Sequence, residues 1–183
     1  MILQQAKGLI CMWMRNTTLV LTMAKDEISE ICMKFILYGY ELQGRIFLSI
    51  ARALVKKYGP EVKEVIREAS YDNGVRLGRD FSKKFGGNGI REFAKAWEEM
   101  WGFGGPPVEV SDRRLMYGGS FCAAYEAWKK MGVSPKEISE LADLYCINDV
   151  GFAKGFNPKM ELKHTKRAMK GDPCCEWVVE LKG

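Results

Sequence analysis

Four residues toward the C-terminal end are of types that can move protons or attack carbon: Cys146, Asp149, His164 and Cys175. His164 is the only histidine in the chain, and histidine is the side chain best suited to give and take a proton near neutrality. A cysteine beside such a base can act as a nucleophile once a neighbour lowers its pKa enough to expose the thiolate. Asp149 follows Cys146 at i, i+3, so on a helix the two side chains are neighbours. A carboxylate there must be paired, hydrated or functional if it is buried. Each residue also has a structural reading: a core histidine satisfied by a backbone carbonyl, cysteines as small buried hydrophobes, an aspartate on a solvated helix face. Sequence alone leaves both readings open.

These residues need elements to hold them. Ser134-Pro135-Lys136-Glu137 is a capping box with proline at the first helical position, a specific start signal. The helix it opens is expected to run to about Lys154 before Gly155, with Ile138, Leu141, Tyr145 and Phe152 toward the core and Cys146, Asp149 and Ala153 on an adjacent stripe. Asn157-Pro158 then leads into a segment from Lys159 to Ala168. The turn Lys170-Gly171-Asp172-Pro173 separates it from Cys174 to Leu181, and the pair reads as a β-hairpin. Period-two alternation places Met160, Leu162, His164 and Ala168 on the inner face, with Lys166 interrupting it, and Glu161, Lys163, Thr165 and Arg167 on the outer one. On the second strand Cys175, Trp177, Val179 and Leu181 share a face, so Cys175 is expected to be buried and Cys174 more exposed.

Upstream, Ile28, Ile31, Cys32, Phe35, Leu42, Ile46, Ile50 and Leu54 recur at helical spacing and predict one long amphipathic helix from Asp26 to Lys57. Gly59-Pro60 ends it and starts a second helix carrying Val62, Val65, Ile66 and Ala69. A third follows Gly86-Gly87-Asn88-Gly89, with Ile90, Phe93, Ala94, Trp97 and Trp101 on one face. That glycine cluster lacks the preceding strand and the Gly-Lys-Ser/Thr ending of a phosphate loop. After a turn-rich joint at 103–107 come short strands at Val108 to Val110 and Arg114 to Gly118, then a helix capped by Ser120 with Phe121, Ala124, Tyr125, Trp128 and Met131 on its buried stripe. The expected class is α+β: long N-terminal helices packed with a C-terminal antiparallel sheet that bears helices on one face. Residues 1–22 read as an extension, and 23–183 as a single domain, helical over 23–102 and mixed over 103–183.

Composition narrows the function further. Lys and Arg outnumber Asp and Glu by 28 to 23, a surplus without the one-sided clustering that phosphate tracking needs, so nucleic acid is not an expected partner. No segment approaches the ~20 apolar residues of a membrane span. Six cysteines in a chain this rich in core residues point to a reduced, cytoplasmic setting rather than a disulfide scaffold, and no Cys-x-x-Cys pair marks a zinc ribbon.

The succession Cys146-Ile-Asn-Asp149, Gly155-Phe-Asn157-Pro158, Glu161-Leu-Lys-His164-Thr165-Lys166 and Gly171-Asp172-Pro-Cys174-Cys175-Glu-Trp177 resembles the L-2-amino-thiazoline-4-carboxylic acid hydrolase family. The long N-terminal helices agree with it only in general pattern. One departure is local: the family pattern starts a helix with Cys-Pro where this chain has Cys122-Ala123. The last strand is also similar to the end of four-vinyl-reductase type ligand-binding domains, which implies a helical layer on an antiparallel sheet enclosing an apolar pocket.

The hydrolase resemblance implies opening of a five-membered cyclic amidine that carries a carboxylate, toward a carbamoyl-cysteine, by a hydrolase acting on non-peptide C–N bonds. Such a reaction needs a nucleophile or activated water, an acid for the departing atom and a cation for the carboxylate. It implies Cys146 or Cys175 as nucleophile, His164 and Asp149 as proton carriers, and Asn157 or Lys166 as substrate anchors, with Asp172 and Trp177 as further substrate-binding candidates. No cofactor is expected, although a metal-centred version would use cysteine, aspartate and histidine together. The expected partner is a small-molecule substrate, with a homodimer as the candidate assembly. The alternative from a different class is a ligand-binding or sensor module without chemistry.

Overall fold

The computed structural model describes residues 25–101 and 107–183. The expected extension over 1–22 and most of the joint at 103–107 lie outside the described residues. By compactness the chain divides into Met1–Leu37 and Tyr38–Gly183. In the first unit the described residues belong to helix α1 (Lys25–Tyr58), where Glu30 and Lys34 pair one turn apart.

In the second unit α1 continues to Tyr58 and is followed by α2 (Val62–Phe85) and α3 (Ile90–Trp101). Then come β1 (Glu109–Val110), β2 (Arg114–Gly119), α4 (Ala123–Lys130), α5 (Pro135–Tyr145), α6 (Ile147–Phe156), β3 (Met160–Lys166), a 3-10 turn (Ala168–Lys170) and β4 (Cys175–Leu181). The strands form one antiparallel sheet in the order β1-β2-β4-β3. This is the α+β arrangement that the patterning predicts.

Three boundaries differ from expectation. The helix opened by the capping box, where the Ser134 hydroxyl accepts the Glu137 N–H, divides at Cys146 into α5 and α6. Asp149 N–H donates to Cys146 O at 3.2 Å, the i→i+3 tightening of a 3-10 turn. Gly155 does not stop α6, which runs to Phe156 and is capped by Asn157. Ser120 does not cap α4; that position is Cys122, and Ser120 is exposed.

Glycine explains how α6 is seated. A Cβ added to Gly74 or Gly78 of α2 would fall on the carbonyl oxygen of Asn148 or Phe152, and one at Gly151 or Gly155 of α6 on that of Tyr71 or Val75. The two helices therefore pack backbone against backbone, an approach that only residues without Cβ allow. Asp149 precedes Gly151 by two positions, roughly 200° around the helix, so the face opposite the glycines carries the carboxylate.

Around this pair lie two buried clusters. One joins Phe93 and Trp97 of α3, Phe152 and Phe156 of α6, and Leu115, Met160, Leu162 and Val179 of the sheet. The other joins Leu48 of α1, Trp128 of α4 and Leu141 of α5, with Trp128 Nε1–H donating to Gly44 O at 2.8 Å. Here the sequence stripe on α1 misleads: Leu42, Ile46 and Ile50 are exposed, and the helix turns Gly44, Leu48 and Ala51 inward instead. Gly44 lies so close to α4 that a Cβ would meet Ala124 at 2.8 Å. Close packing selects the small face over the greasier one. Among the described residues no helix is long and apolar enough to cross a membrane.

Candidate functional site

The hairpin β3-β4 brings His164 opposite Trp177, and β4 brings Trp177 opposite Tyr117 and Cys175 opposite Gly119 of β2. All these side chains stand on the sheet face that α6 covers, because alternation along each strand keeps positions i and i+2 on one side. Between that face and the helices lies a cavity of about 120 Å3. Its walls include Tyr40 of α1, Trp97 and Glu98 of α3, Cys122 at the start of α4, Tyr145, Cys146 and Asp149 from the α5-α6 joint, and His164, Arg167, Cys175 and Trp177 from the hairpin.

His164 Nε2 lies 3.0 Å from Asp149 Oδ2, with 11% of the imidazole side chain and 24% of the aspartate side chain exposed. Asp149 is in the first turn of α6, where the positive end of the helix dipole favours a carboxylate. A neutral imidazole in this pair donates Nε2–H to the carboxylate and keeps its basic lone pair on Nδ1. That is the arrangement in which an acid group orients a base.

The sequence places Arg167 outward and Lys166 at the interruption of the inner face. The structure reverses them. The register slips between His164 and Lys166, so Thr165 is the extra residue of a β-bulge, and a bulge shifts every later side chain to the other face. Lys166 consequently points outward to Glu176, Nζ to Oε2 3.0 Å, while Arg167 lines the cavity. Its Nη1 donates to Asp143 Oδ1 at 2.9 Å, and Lys170 shares that carboxylate. Burial raises the Asp143 carboxyl, but hydrogen bonds from Lys170 and Arg167 more than reverse this and leave it below its ordinary value.

Three substrate-binding candidates thus lie outside the cavity. Lys166 is the first. Asn157 caps α6: its amide donates to Asn88 O at 2.8 Å and its oxygen accepts Lys159 N–H at 2.9 Å. Asp172 accepts the Arg167 N–H at 2.7 Å, bracing the turn that carries Arg167. The bulge turns Lys166 outward, whereas Asn157 and Asp172 spend their side chains on backbone groups beside turns. Trp177, the fourth, lines the cavity.

Cys122, Arg167 and Glu98 are cavity residues that reading the sequence did not single out. For Cys122 a signal was present, the helix-start cysteine of the family pattern. Arg167 and Glu98 carried none, because a bulge and a helix crossing leave no mark on local alternation.

The thiols are not poised as thiolates. Burial pushes the Cys122 thiol up from 9.0 to about 11, with Cys175 and Asp149 adding to the rise. Burial, followed by the Asp149 charge, lifts Cys146 well above its ordinary value. Burial also raises Cys175, against an opposing hydrogen bond from the Ala168 N–H. Cys174 and Cys175 are both half-buried, so the expected contrast between them is small. Because the folded Cys122 binds its proton more tightly than an unfolded thiol, its contribution to stability is complete below pH 9.0 and is lost as pH rises toward about 11. Denaturant midpoints should therefore fall across that window, and Cys122→Ala should flatten the fall; an unchanged slope would show that Cys122 is not the titrating group. Among the described residues no three His, Cys, Asp or Glu side chains are grouped to hold a metal ion.

The model of the L-2-amino-thiazoline-4-carboxylic acid hydrolase family matches residues 39–178. The chain belongs to this family. Membership in the hydrolase family takes in every cavity residue named above, from Tyr40 to Trp177. A comparison with curated proteins finds no significant match. Among solved structures, the chain is similar to a trafficking protein particle complex subunit 3 from Naegleria fowleri covalently bound to palmitic acid, at 18% identity and a TM-score of 0.55, covering 80% of this chain and 96% of that one. It is also similar to the phenol-responsive sensory domain of the transcription activator PoxR with phenol, at 14% identity and a TM-score of 0.48, covering 78% of this chain and 74% of that one. The first likeness supports the fold of this family member and says nothing of its chemistry.

Proposed function

We propose that the protein hydrolyses a small cyclic amidine bearing a carboxylate, of the 2-amino-thiazoline-4-carboxylate type. The observation that supports this reading is the Asp149–His164 pair lining the same cavity as Arg167. Arg167 is the cation for the carboxylate. His164 is the base that takes a proton from a water as it adds to the amidine carbon, and Asp149 stabilises the imidazolium so formed. The tetrahedral carbon then releases the ring sulfur, and the two protons of the water end on ring nitrogen and sulfur, leaving a carbamoyl-cysteine. Raised pKa values at Cys122, Cys146 and Cys175 favour water over a thiolate as nucleophile.

Cavity size supports a small ring. Engineered apolar cavities of roughly 150 Å3 take up benzene, and about 120 Å3 matches one such ring far better than the palmitic acid bound by the Naegleria protein. Formation of carbamoyl-cysteine from 2-amino-thiazoline-4-carboxylate by the purified protein tests the reading; absence of turnover would overturn it. Arg167→Gln removes a charged donor worth about 1.5–3 kcal/mol, so KM should rise about 10- to 100-fold with a smaller change in kcat. An unchanged KM would remove Arg167 from its role.

A second reading, a ligand-binding module without turnover, is favoured by the mainly aromatic and thiol-bearing wall of the cavity. Retention of the same ligand with no product formed would select it.

A further inference from the structure

Tyr145 is the last residue of α5 and lines the cavity beside Cys146 and Asp149. Two rings clamp its own: Phe47 meets it edge-on at 5.1 Å between centroids and 74° between planes, and Trp128 at 5.6 Å and 76°. Both belong to the neighbouring buried cluster, which anchors the ring. The side chains that act electrostatically on the hydroxyl are Cys122, Asp149, Cys146 and Tyr40, and all four are cavity wall. The hydroxyl is therefore at the cavity end of the ring.

Among the described residues this hydroxyl has no hydrogen-bond partner, and it is not sealed from a solvent-sized probe. It differs in this from Trp177 Nε1, which is also unbonded but is closed off. A polar side-chain atom this deep in a fold normally has a partner. Burial first, and then the neighbouring groups with Asp149 among them, raise the hydroxyl above its ordinary pKa, so it is neutral at working pH. A neutral oxygen beside a carboxylate is suited to accept an N–H from a polarised or cationic group.

We propose that Tyr145 Oη is a specificity determinant, which accepts an N–H from the amidine end of the ligand beside Asp149. The inference rests on the proposed cyclic amidine and deepens it. An amidine carries an exocyclic N–H whether or not it is protonated, so the contact does not depend on its charge. A ring of the same size without that N–H would displace water from the hydroxyl and return no bond. A site built to bond a polar group rejects an analogue that lacks it for this reason.

Calorimetric titration separates the inference from the proposed reaction, because it reads binding without turnover. The probes are 2-amino-thiazoline-4-carboxylate and 2-methyl-thiazoline-4-carboxylate, which keeps ring and carboxylate and lacks the amino group. Both are titrated into the His164→Asn protein, with and without Tyr145→Phe, which keeps the aromatic ring and deletes the hydroxyl. Tyr145→Phe is expected to weaken the amino probe about tenfold and not to weaken the methyl probe. Equal loss for both probes would indicate a packing role and overturn the proposal, as would unchanged binding of the amino probe. Urea midpoints give a second check: a hydroxyl with no partner in the protein contributes no bond to the fold, so Tyr145→Phe should unfold no earlier than the parent. An earlier midpoint would show the hydroxyl engaged within the protein and overturn the proposal. The expected binding pattern with no product formed by the parent would sink the hydrolase reading and leave the role of Tyr145 standing; turnover by the parent with binding indifferent to Tyr145→Phe would do the reverse. A protein that binds neither probe overturns both.

Discussion

Replacing His164 with asparagine should lower turnover of 2-amino-thiazoline-4-carboxylate by about 10²- to 10⁴-fold, the usual contribution of a positioned general base. Asparagine is close in size and can still donate to Asp149, so the cavity wall is preserved while the basic lone pair is lost. Asp149→Asn should fall in the same direction: the carboxamide can still accept Nε2–H, but it no longer holds a negative charge against the imidazolium. Because the two act as one unit, the double variant should lose little more than the worse single one. Circular dichroism of each variant checks that folding is intact, and product formation is followed under single-turnover conditions. A His164→Asn protein that turns over within about threefold of the parent would exclude the pair from proton transfer. Replacement of Cys146 or Cys175 by alanine should cost far less, since neither thiol is ionised at neutral pH.

The second large effect is on folding. Gly78→Ala should destabilise by about 3 kcal/mol, the upper end of what overpacking costs, because the new methyl would land on the Phe152 carbonyl oxygen. Gly155→Ala meets the Val75 backbone and should cost as much. Backbone cannot move aside as a side-chain tip can, so relief requires α2 and α6 to separate. That separation would shift Asp149 relative to His164, and activity should fall together with stability. Gly39→Ala is the control: it is exposed within α1 with nothing within 4 Å of an added Cβ, and should stabilise by about 0.5–1 kcal/mol as a helix-interior glycine replaced by alanine. Urea midpoints decide the matter. If Gly78→Ala and Gly39→Ala shift the midpoint alike, the backbone contact between α2 and α6 does not hold the fold.

Several features were legible from residue order because they depend on neighbours in the chain. The capping box at Ser134 starts α5, the turn at Gly171 (φ +100°) lies between β3 and β4, and alternation put His164 and Trp177 on the inner face. Cys146 and Asp149 at i, i+3 sit near one another on the α5-α6 joint for the same reason. The likeness to the hydrolase family rested on these same local strings, and the family match over residues 39–178 agrees with it.

What the order of residues could not disclose lies in distances between segments. Thr165 looks like any outward strand residue until β4 pairs with β3, and only that pairing inserts the bulge that turns Arg167 in and Lys166 out. Gly155 read as a helix stop because glycine is intrinsically a poor helix former; the tertiary contact with α2 makes it, like Gly151, necessary within α6. On α1 hydrophobicity pointed to Ile46 and Ile50, whereas steric closeness to α4 turned Gly44 and Ala51 inward. Residue types and spacing determined which groups can move protons and which strand faces they share. Tertiary packing decided which cation reaches the cavity and which indole is left unpaired, because those outcomes depend on how closely backbones approach, and closeness has no local signal.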